Sequence, residues 1–553
     1  MTRATHAGES GTTFDVAVLG SGIGGAVLAL ILASQDVKVV MIESGVHPRF
    51  AVGESTIPHT SMLSSMLAEQ YGLPELEIIA YPERIAKEVC STCGIKRAFG
   101  YAYHRPGQEY DPSEGLLVGT SSKDETHLFR QDVDSWLTYA AVHRGAELRQ
   151  ATVVQSVDID ASGVTLTTST GEEIRARYVV DGTGFRSVLA EKYQLREVPT
   201  RFEHHSRSMF THMIDVGAFD VGHSMQIPWE QSTMHHIFDR GWFWVIPFNN
   251  WDASTNPLVS VGLTVDPRVH PKPAGVTAEA EFQHFLDQFP SVARQFADAK
   301  TVRPWVSTDR LQYSAKQGVG YRWCLMSHAN GALDPLFSRG MVNTLEITAA
   351  MVGPLLAALD EDDFREDRFE HIEELHRRVL DYNDALVSNS FASWADFDLW
   401  NAWLRVWGFG TIPLEFRLMN ALADYTNTRD PKYLTGDVAK PKFSEFEDPD
   451  YAEFFDRAVG LMDGFKKGGH PAAETASQLF ELTNAYEFPI VMRADAMERA
   501  GWLSDQARMS ERNLEFARSG FRWALSNPDT HDLFGNAQTF YRWRARRSDP
   551  HLA

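Results

Sequence analysis

Cysteine is scarce in this sequence: Cys90, Cys93 and Cys324 are the only three among 553 residues. That excludes a disulfide framework and fits a chain working in a reducing cytoplasm. Cys90-Ser91-Thr92-Cys93 matches C-x-x-C, but no second pair follows to complete a zinc site, and no metal is expected. Coincidence is the simpler reading of that match, and a redox pair is the alternative. Positive charge is short as well. Against 74 Asp and Glu stand 52 Lys and Arg, a formal net charge of −22. That balance argues against nucleic acid and against an anionic membrane as partners. Low-complexity tracts and internal repeats are missing. No unbroken apolar run is long enough to span a bilayer. Val16 to Ala33 comes nearest, but it carries four glycines and lacks a basic flank immediately before it, so it reads as fold and not as a signal or membrane segment. What remains, 43% hydrophobic and 11% aromatic, is an ordinary globular composition, long enough for two or more domains.

The strongest local pattern lies inside that apolar run. Val16 to Leu19 is an apolar, β-branched stretch that predicts a buried strand. Gly20, Gly22 and Gly25 then fit G-x-G-x-x-G, Ala26 to Ala33 is an apolar helix, and Val37 to Ile42 is a second strand ending on Glu43. Gly20 permits the tight turn, Gly22 lets backbone approach a pyrophosphate, and Gly25 lets helix and strand pack closely. The helix N-terminus offers unpaired N–H groups to phosphate. Glu43, 18 residues after Gly25, is placed to accept from a ribose hydroxyl. Together these predict a dinucleotide-binding βαβ unit.

Further on, Ser55 and Thr56 can cap a helix running through Met62 and Leu67. Cys93 to Tyr103 reads as one strand carrying the basic pair Lys96-Arg97. A helix over Ser135–His143 follows Arg130, hairpin strands lie near Val157–Ile159 and Val164–Thr168, and Tyr178–Asp181 is another buried strand ending on an acid. From about 202 to 306, short alternating runs predict an inserted antiparallel sheet. Gly320 to Met326 is again strand, with a helix from Val342. Beyond residue 360 the chain turns helical, and Trp400, Trp403 and Trp407 share one helix face. Asp430–Asp450 reads as a surface loop, and Arg542–Arg547 as a solvated basic patch. The fold class is α/β: a Rossmann-type nucleotide domain over 14–350 with an inserted antiparallel β substrate part, plus a mainly α-helical region over 360–553. The aromatic stretch Phe391–Phe409 is expected to cover the substrate end of the site.

The βαβ unit, Arg130, Asp181-Gly182 and the stretch at Asp334-Pro335 together resemble the FAD enzymes of the p-hydroxybenzoate-hydroxylase type. Three motifs narrow the resemblance to the flavin-dependent halogenases. Gly241-Trp242-Phe243-Trp244-Val245-Ile246-Pro247 resembles their W-x-W-x-I-P, Gly53-Glu54-Ser55-Thr56-Ile57-Pro58 their G-E-S/A-T-x-P, and Asp334-Pro335-Leu336-Phe337-Ser338-Arg339-Gly340 their D-P-L/F-x-S-x-G.

The resemblance implies FAD used as FADH2, with O2 and chloride as co-substrates and a separate flavin reductase as partner. Chloride becomes hypochlorous acid, which a lysine holds or converts to a chloramine before a phenolic ring takes the chlorine. It implies Lys96 as that lysine (Lys87 being the alternative), with Trp242 and Trp244 as a wall between flavin and substrate. It implies cofactor contacts from Gly20, Gly22, Gly25, Glu43, Ser55, Thr56, Arg130, Asp181, Asp334 and Pro335, and a chloride turn at Ser338, Arg339 and Gly340. Phe337 stands where the tryptophan halogenases carry a catalytic glutamate, which points to a phenolic substrate, free or carrier-tethered, of aromatic-polyketide type. Ser327-His328 replaces the Gly-Asp usual in related flavoproteins. Alternatives are a single-component FAD/NADPH aromatic hydroxylase and a flavin-binding protein without chemistry.

Overall fold

The computed structural model describes residues 13–120, 124–219, 227–435, 443–487, 491–499 and 511–534. Residues 1–12 and the Arg542–Arg547 patch lie outside them. The principal elements of the first half are, in chain order, β1 (Thr13–Leu19), α1 (Ile23–Ser34), β2 (Val39–Ile42), α2 (Pro58–Tyr71), β3 (Gly94–Lys96), β4 (Ala98–Tyr103), β5 (Gly115–Gly119), β6 (Glu125–His127), α3 (Arg130–His143), β7 (Glu147–Arg149), β8 (Val154–Asp160), β9 (Gly163–Thr168) and β10 (Glu173–Asp181). There follow β11 (Arg207–Ile214), β12 (Ser232–Phe238), β13 (Gly241–Pro247), β14 (Val259–Val265), β15 (Trp323–Leu325), α4 (Arg339–Glu361), α5 (Glu370–Ser393), α6 (Phe397–Thr428), α7 (Pro449–Lys466) and β16 (Asp532–Phe534).

The first sheet runs β15-β10-β1-β2-β7, all parallel, with the β8–β9 hairpin on β10. Leu19 stands opposite both Ile42 and Asp181, so three neighbouring strands end at one edge, where a doubly wound sheet binds its ligand. The second sheet runs β11-β14-β13-β12-β4-β5-β16. It is antiparallel except where β12 meets β4 and where β16 meets β5. It is therefore not confined to residues 202–306, because β4 and β5 come from before that segment and β16 from the C-terminal region.

Period-two alternation decides what β13 does. Trp242, Trp244 and Ile246 face the core shared with the nucleotide side, while Phe243 and Val245 face a separate core with Phe282 and Phe289. The single strand expected over Cys93–Tyr103 is instead two. It breaks at Arg97, whose N–H donates to Gln231 O at 2.7 Å and whose carbonyl accepts from Thr120 N at 2.8 Å. β3 then pairs only with β6, while β4 enters the large sheet. The surface loop expected over Asp430–Asp450 is also corrected in part. Ser444 and Glu445 are buried because they answer the polar side chains of α4: Ser444 Oγ donates to Glu346 at 2.6 Å, and Arg339 donates to Glu445.

α4 is long and apolar enough to cross a membrane by composition, yet 67% of its apolar window is buried in protein, as in a core helix. The indole stripe of α6 is core as well. Trp400 meets Tyr101 edge-on at 5.3 Å, Trp407 packs on Phe99 at 5.3 Å and on Phe337 at 4.7 Å, and Trp403 Nε1 donates to Leu386 O at 3.1 Å. Trp400→Ala is expected to cost roughly 3–5 kcal/mol, read by urea unfolding. A loss under about 0.5 kcal/mol, the size usual for surface positions, would remove the packing role assigned to it.

Candidate active site

A cavity of about 440 Å3 opens at the sheet edge, within the range that holds small molecules and cofactors. Its floor is Gly22–Gly25 at the start of α1, its flank Val52–Ser55 with Arg130, and its far wall Trp242, Trp244, His235 and Phe337. Asp334, Pro335 and Ser338–Gly340 close the opposite side.

The residues expected to hold FAD divide into those that meet this cavity and those that shape it. Gly22 and Gly25 form the floor directly. A Cβ on Gly25 would stand 2.1 Å from Gly20 O, so only glycine lets α1 start this close to the β1 turn. Glu43 lies just behind the floor and accepts from Ser21 N at 3.0 Å, Gly45 N at 2.9 Å and Arg49 at 3.0 Å. Burial alone would raise its carboxyl, but those amides and the guanidinium hold it below the ordinary carboxylate range. It is thus fixed as an anion at the sheet edge.

Arg130 lines the cavity, and it also donates to Val52 O at 2.8 Å and Gly53 O at 3.0 Å while paired with Asp134 at 2.7 Å. Its role is to hold the 52–53 turn, and Asp134, unmarked by any local motif, holds it. Asp181 does not reach the cavity. Its oxygens accept from Thr183, Ser187 and Leu189, a bracket that stiffens the turn after β10. Thr56 also faces away, with its Oγ1 bonded to Thr126 N and O. The Asp334 carboxylate accepts from Ser206 Oγ at 2.9 Å and faces His204 at 3.3 Å, so it pins its own loop.

The turn expected to hold chloride is a helix start. Ser338 is the N-cap of α4 with φ 53°, and its side chain makes no cap hydrogen bond. The first N–H groups of a 23-residue helix are therefore free to face an anion, with the dipole in its favour. The Arg339 side chain turns away, buried on Glu445 and over the Tyr382 ring at 5.4 Å. Its contribution at the turn is its backbone, not its charge.

Behind the Ser55 flank lies Lys96. It is fully buried, and Nζ donates to Ser55 Oγ at 2.8 Å and Thr56 O at 2.8 Å while standing 3.5 Å over the Phe99 ring. Ser55 lines the cavity and Lys96 does not, so the ammonium sits one hydrogen bond behind the wall. Burial pushes its pKa well below the ordinary lysine value, and Glu125 opposes that. The register explains why: Glu125 on β6 is directly opposite Lys96 on β3, and both are completely buried. Glu125 also accepts from Ser61 Oγ at 2.6 Å.

His235 stacks between Tyr101 at 4.5 Å and Trp242 at 5.1 Å, with Nδ1 against Gly100 O at 3.1 Å. Burial lowers it to about 3, so it stays neutral in the wall. Glu125, His235 and Asp134 carry no local motif; only strand register and helix spacing could have suggested them. Among the described residues no group of three or more His, Cys, Asp or Glu is placed to hold a metal. Cys90 and Cys93 are free thiols 3.8 Å apart. The glycine floor, the open start of α1 and the anionic Glu43 behind it fit the phosphates and ribose of FAD, and the second open helix start fits an anion beside it.

The FAD binding domain family matches residues 13–312. The chain is 43% identical over 498 residues to the monodechloroaminopyrrolnitrin halogenase of Pseudomonas fluorescens, covering 88% of each. It is 43% identical over 477 residues to the tetracycline 7-halogenase of Kitasatospora aureofaciens, covering 85% of this chain and 86% of that one. Among solved structures it is similar to the halogenase PltM in complex with phloroglucinol and FAD, at 29% identity and a TM-score of 0.84, covering 94% of this chain and 100% of that one. A glycine-floored cleft one hydrogen bond from a buried lysine, in a chain with relatives this similar over nearly its whole length, makes this protein a member of the flavin-dependent halogenases, enzymes that use FAD, chloride and O2.

Proposed function

We propose that this halogenase chlorinates an electron-rich phenolic ring on a free small molecule, with aromatic polyketides of the tetracycline kind as the leading class. The observation that carries the reading is the place of Lys96, a buried amine over the Phe99 ring and one hydrogen bond from the cavity. Reduced FAD supplies, with O2, the two-electron oxidising equivalent that turns chloride into hypochlorous acid. The open amides at the start of α4 hold the anion. Trp242 and Trp244 keep a substrate ring away from the flavin, so a small oxidant passes and direct hydroxylation does not compete. Lys96 donates a hydrogen bond to that oxidant and polarises its O–Cl bond, with Glu125 as the balancing charge.

The phenolic class is supported by Phe337 in place of an acid in the wall, by the tetracycline relative and by phloroglucinol in the PltM complex. A free substrate is supported by the two relatives at 43% identity, whose names carry no carrier protein; the pyrrole-2-carbonyl carrier-protein chlorinase is 24% identical.

Incubation with reduced FAD, O2 and bromide is expected to give a brominated product from a panel of hydroxy- and aminobenzenes, read by mass. A hydroxylated product, or none, overturns the reading. A separate flavin reductase is the proposed partner, since the sequence holds one dinucleotide fingerprint, already assigned to FAD. NADPH added to the isolated holoprotein is expected to leave the flavin absorbance unbleached on the turnover timescale. Rapid bleaching would return the single-component hydroxylase.

A further inference from the structure

Against Phe99 there is a second, smaller gap of about 20 Å3, room for one water-sized group. Phe99, Thr120, Trp407, Thr411 and Glu415 line it. Phe99 is the ring under the Lys96 ammonium, so the gap and the lysine share a wall. Glu415 is 3% exposed, and its Oε2 has no hydrogen-bond partner. A buried carboxylate is ordinarily paired, because leaving it alone costs several kcal/mol. Here the charges that act on it most are acids, Glu125 and Glu445. Its neighbour on α6, Arg417, donates instead to Ser444 O and faces Asp448. A buried acid with an unpaired oxygen in a mostly apolar gap, one ring away from Lys96, is costly to the fold, and such costs concentrate where a ligand is to be met.

We propose that Glu415 receives the activating group of the substrate ring, accepting a hydrogen bond and then a proton from its hydroxyl or amino substituent. This rests on the halogenase reading above and deepens it. The gap is too small for a ring and large enough for one such substituent, with Phe99 as the wall it shares with Lys96. In the step, a ring carbon forms the C–Cl bond with the chlorine of hypochlorous acid as the O–Cl bond breaks, and hydroxide leaves. The substituent O–H proton passes to the Glu415 carboxylate, so the intermediate is a neutral dienone and not a cation. Hydroxide then removes the ring proton to give water, and Glu415 returns its proton to the oxygen. The net change is one phenol and one hypochlorous acid to one chlorophenol and water. Burial and the two neighbouring acids raise the carboxyl well above its ordinary range, so the ionised group is a stronger base than a free carboxylate.

The test compares resorcinol with its dimethyl ether, which is also electron-rich but has no O–H. With bromide, reduced FAD and O2, Glu415→Gln is expected to lose about 10²-fold in kcat for resorcinol, and to leave the dimethyl ether within about twofold. Glu415→Asp should recover part of the resorcinol rate. FAD binding, followed by fluorescence, reports that each variant is folded. Equal losses on both substrates would mean a structural role and overturn the proposal, as would an unchanged resorcinol rate. If the wild-type protein halogenates nothing in the hydroxy- and aminobenzene panel, the reading of function itself fails.

Discussion

Lys96→Met is expected to abolish halogen transfer and to destabilise the protein in the same step. The side chain is fully buried, and its two hydrogen bonds, to Ser55 and to the Thr56 carbonyl, fix the amine just behind the cavity. Removing it takes away the basic group that stands opposite Glu125 in register, where both are fully buried. Removing one of two facing buried ionisable groups costs up to about 3–5 kcal/mol. The loss of activity therefore has two causes that a single variant confuses. Lys96→Met combined with Glu125→Gln removes both charges, and is expected to recover most of the stability, read as the urea midpoint, while halogenation stays absent. The single variant Glu125→Gln is expected to keep Lys96 in place and to slow halogenation about tenfold, the size of an exchange of one charged partner for a neutral one. Halogenated product from the double variant would remove Lys96 from the chemistry and pass the role to Lys87 or another amine.

Gly22→Val and Gly25→Ala are expected to fail in opposite ways, although they are three residues apart in one motif. At Gly22 an added Cβ meets only the far end of the Arg49 side chain at 3.3 Å and Asp134 at 3.8 Å, and otherwise points into the cavity floor. The folded protein tolerates it, while the ligand loses its closest backbone approach. Loss of FAD affinity by about 100-fold or more is expected, at a unfolding midpoint of the apoprotein close to wild type. At Gly25 the Cβ would stand 2.1 Å from the Gly20 carbonyl oxygen, a backbone atom with nowhere to go. Overpacking of this kind costs roughly 1–3 kcal/mol or more, so the apoprotein itself should unfold earlier. Fluorescence titration with FAD and urea unfolding without it separate the two. Wild-type FAD affinity in Gly22→Val would displace the cofactor from this floor.

The nucleotide half was legible because its signals are local. β1, α1, β2 and the acid that follows need only hydrophobic period, glycine positions and chain order, and all lie within residues 13–43. The W-x-W strand was legible for the same reason: period two puts Trp242 and Trp244 on one face whatever they pack against. The buried indoles of α6 could be read from helical spacing, but not their partners. Of Phe391–Phe409 only Trp407 and Gly408 border either cavity described above; the stretch lies mostly behind Phe337 and β4.

By itself the sequence determined the βαβ unit and the one-faced Trp242–Trp244 strand, because short-range geometry forces both; Lys96 and the turn at Ser338 were singled out by resemblance to the halogenases. Only the tertiary structure decided what surrounds that lysine. Glu125 is 29 residues from Lys96 and faces it through β3–β6 register, and Glu445 takes up the Arg339 charge across 106 residues of chain. Glu415 reaches the Phe99 ring because α6 packs on β4. Burial and charge pairing are sums over everything a side chain meets. A motif specifies neighbours along the chain, whereas the fold specifies neighbours in space, and it is these that set whether an ammonium or a carboxylate is held, stranded or free to react.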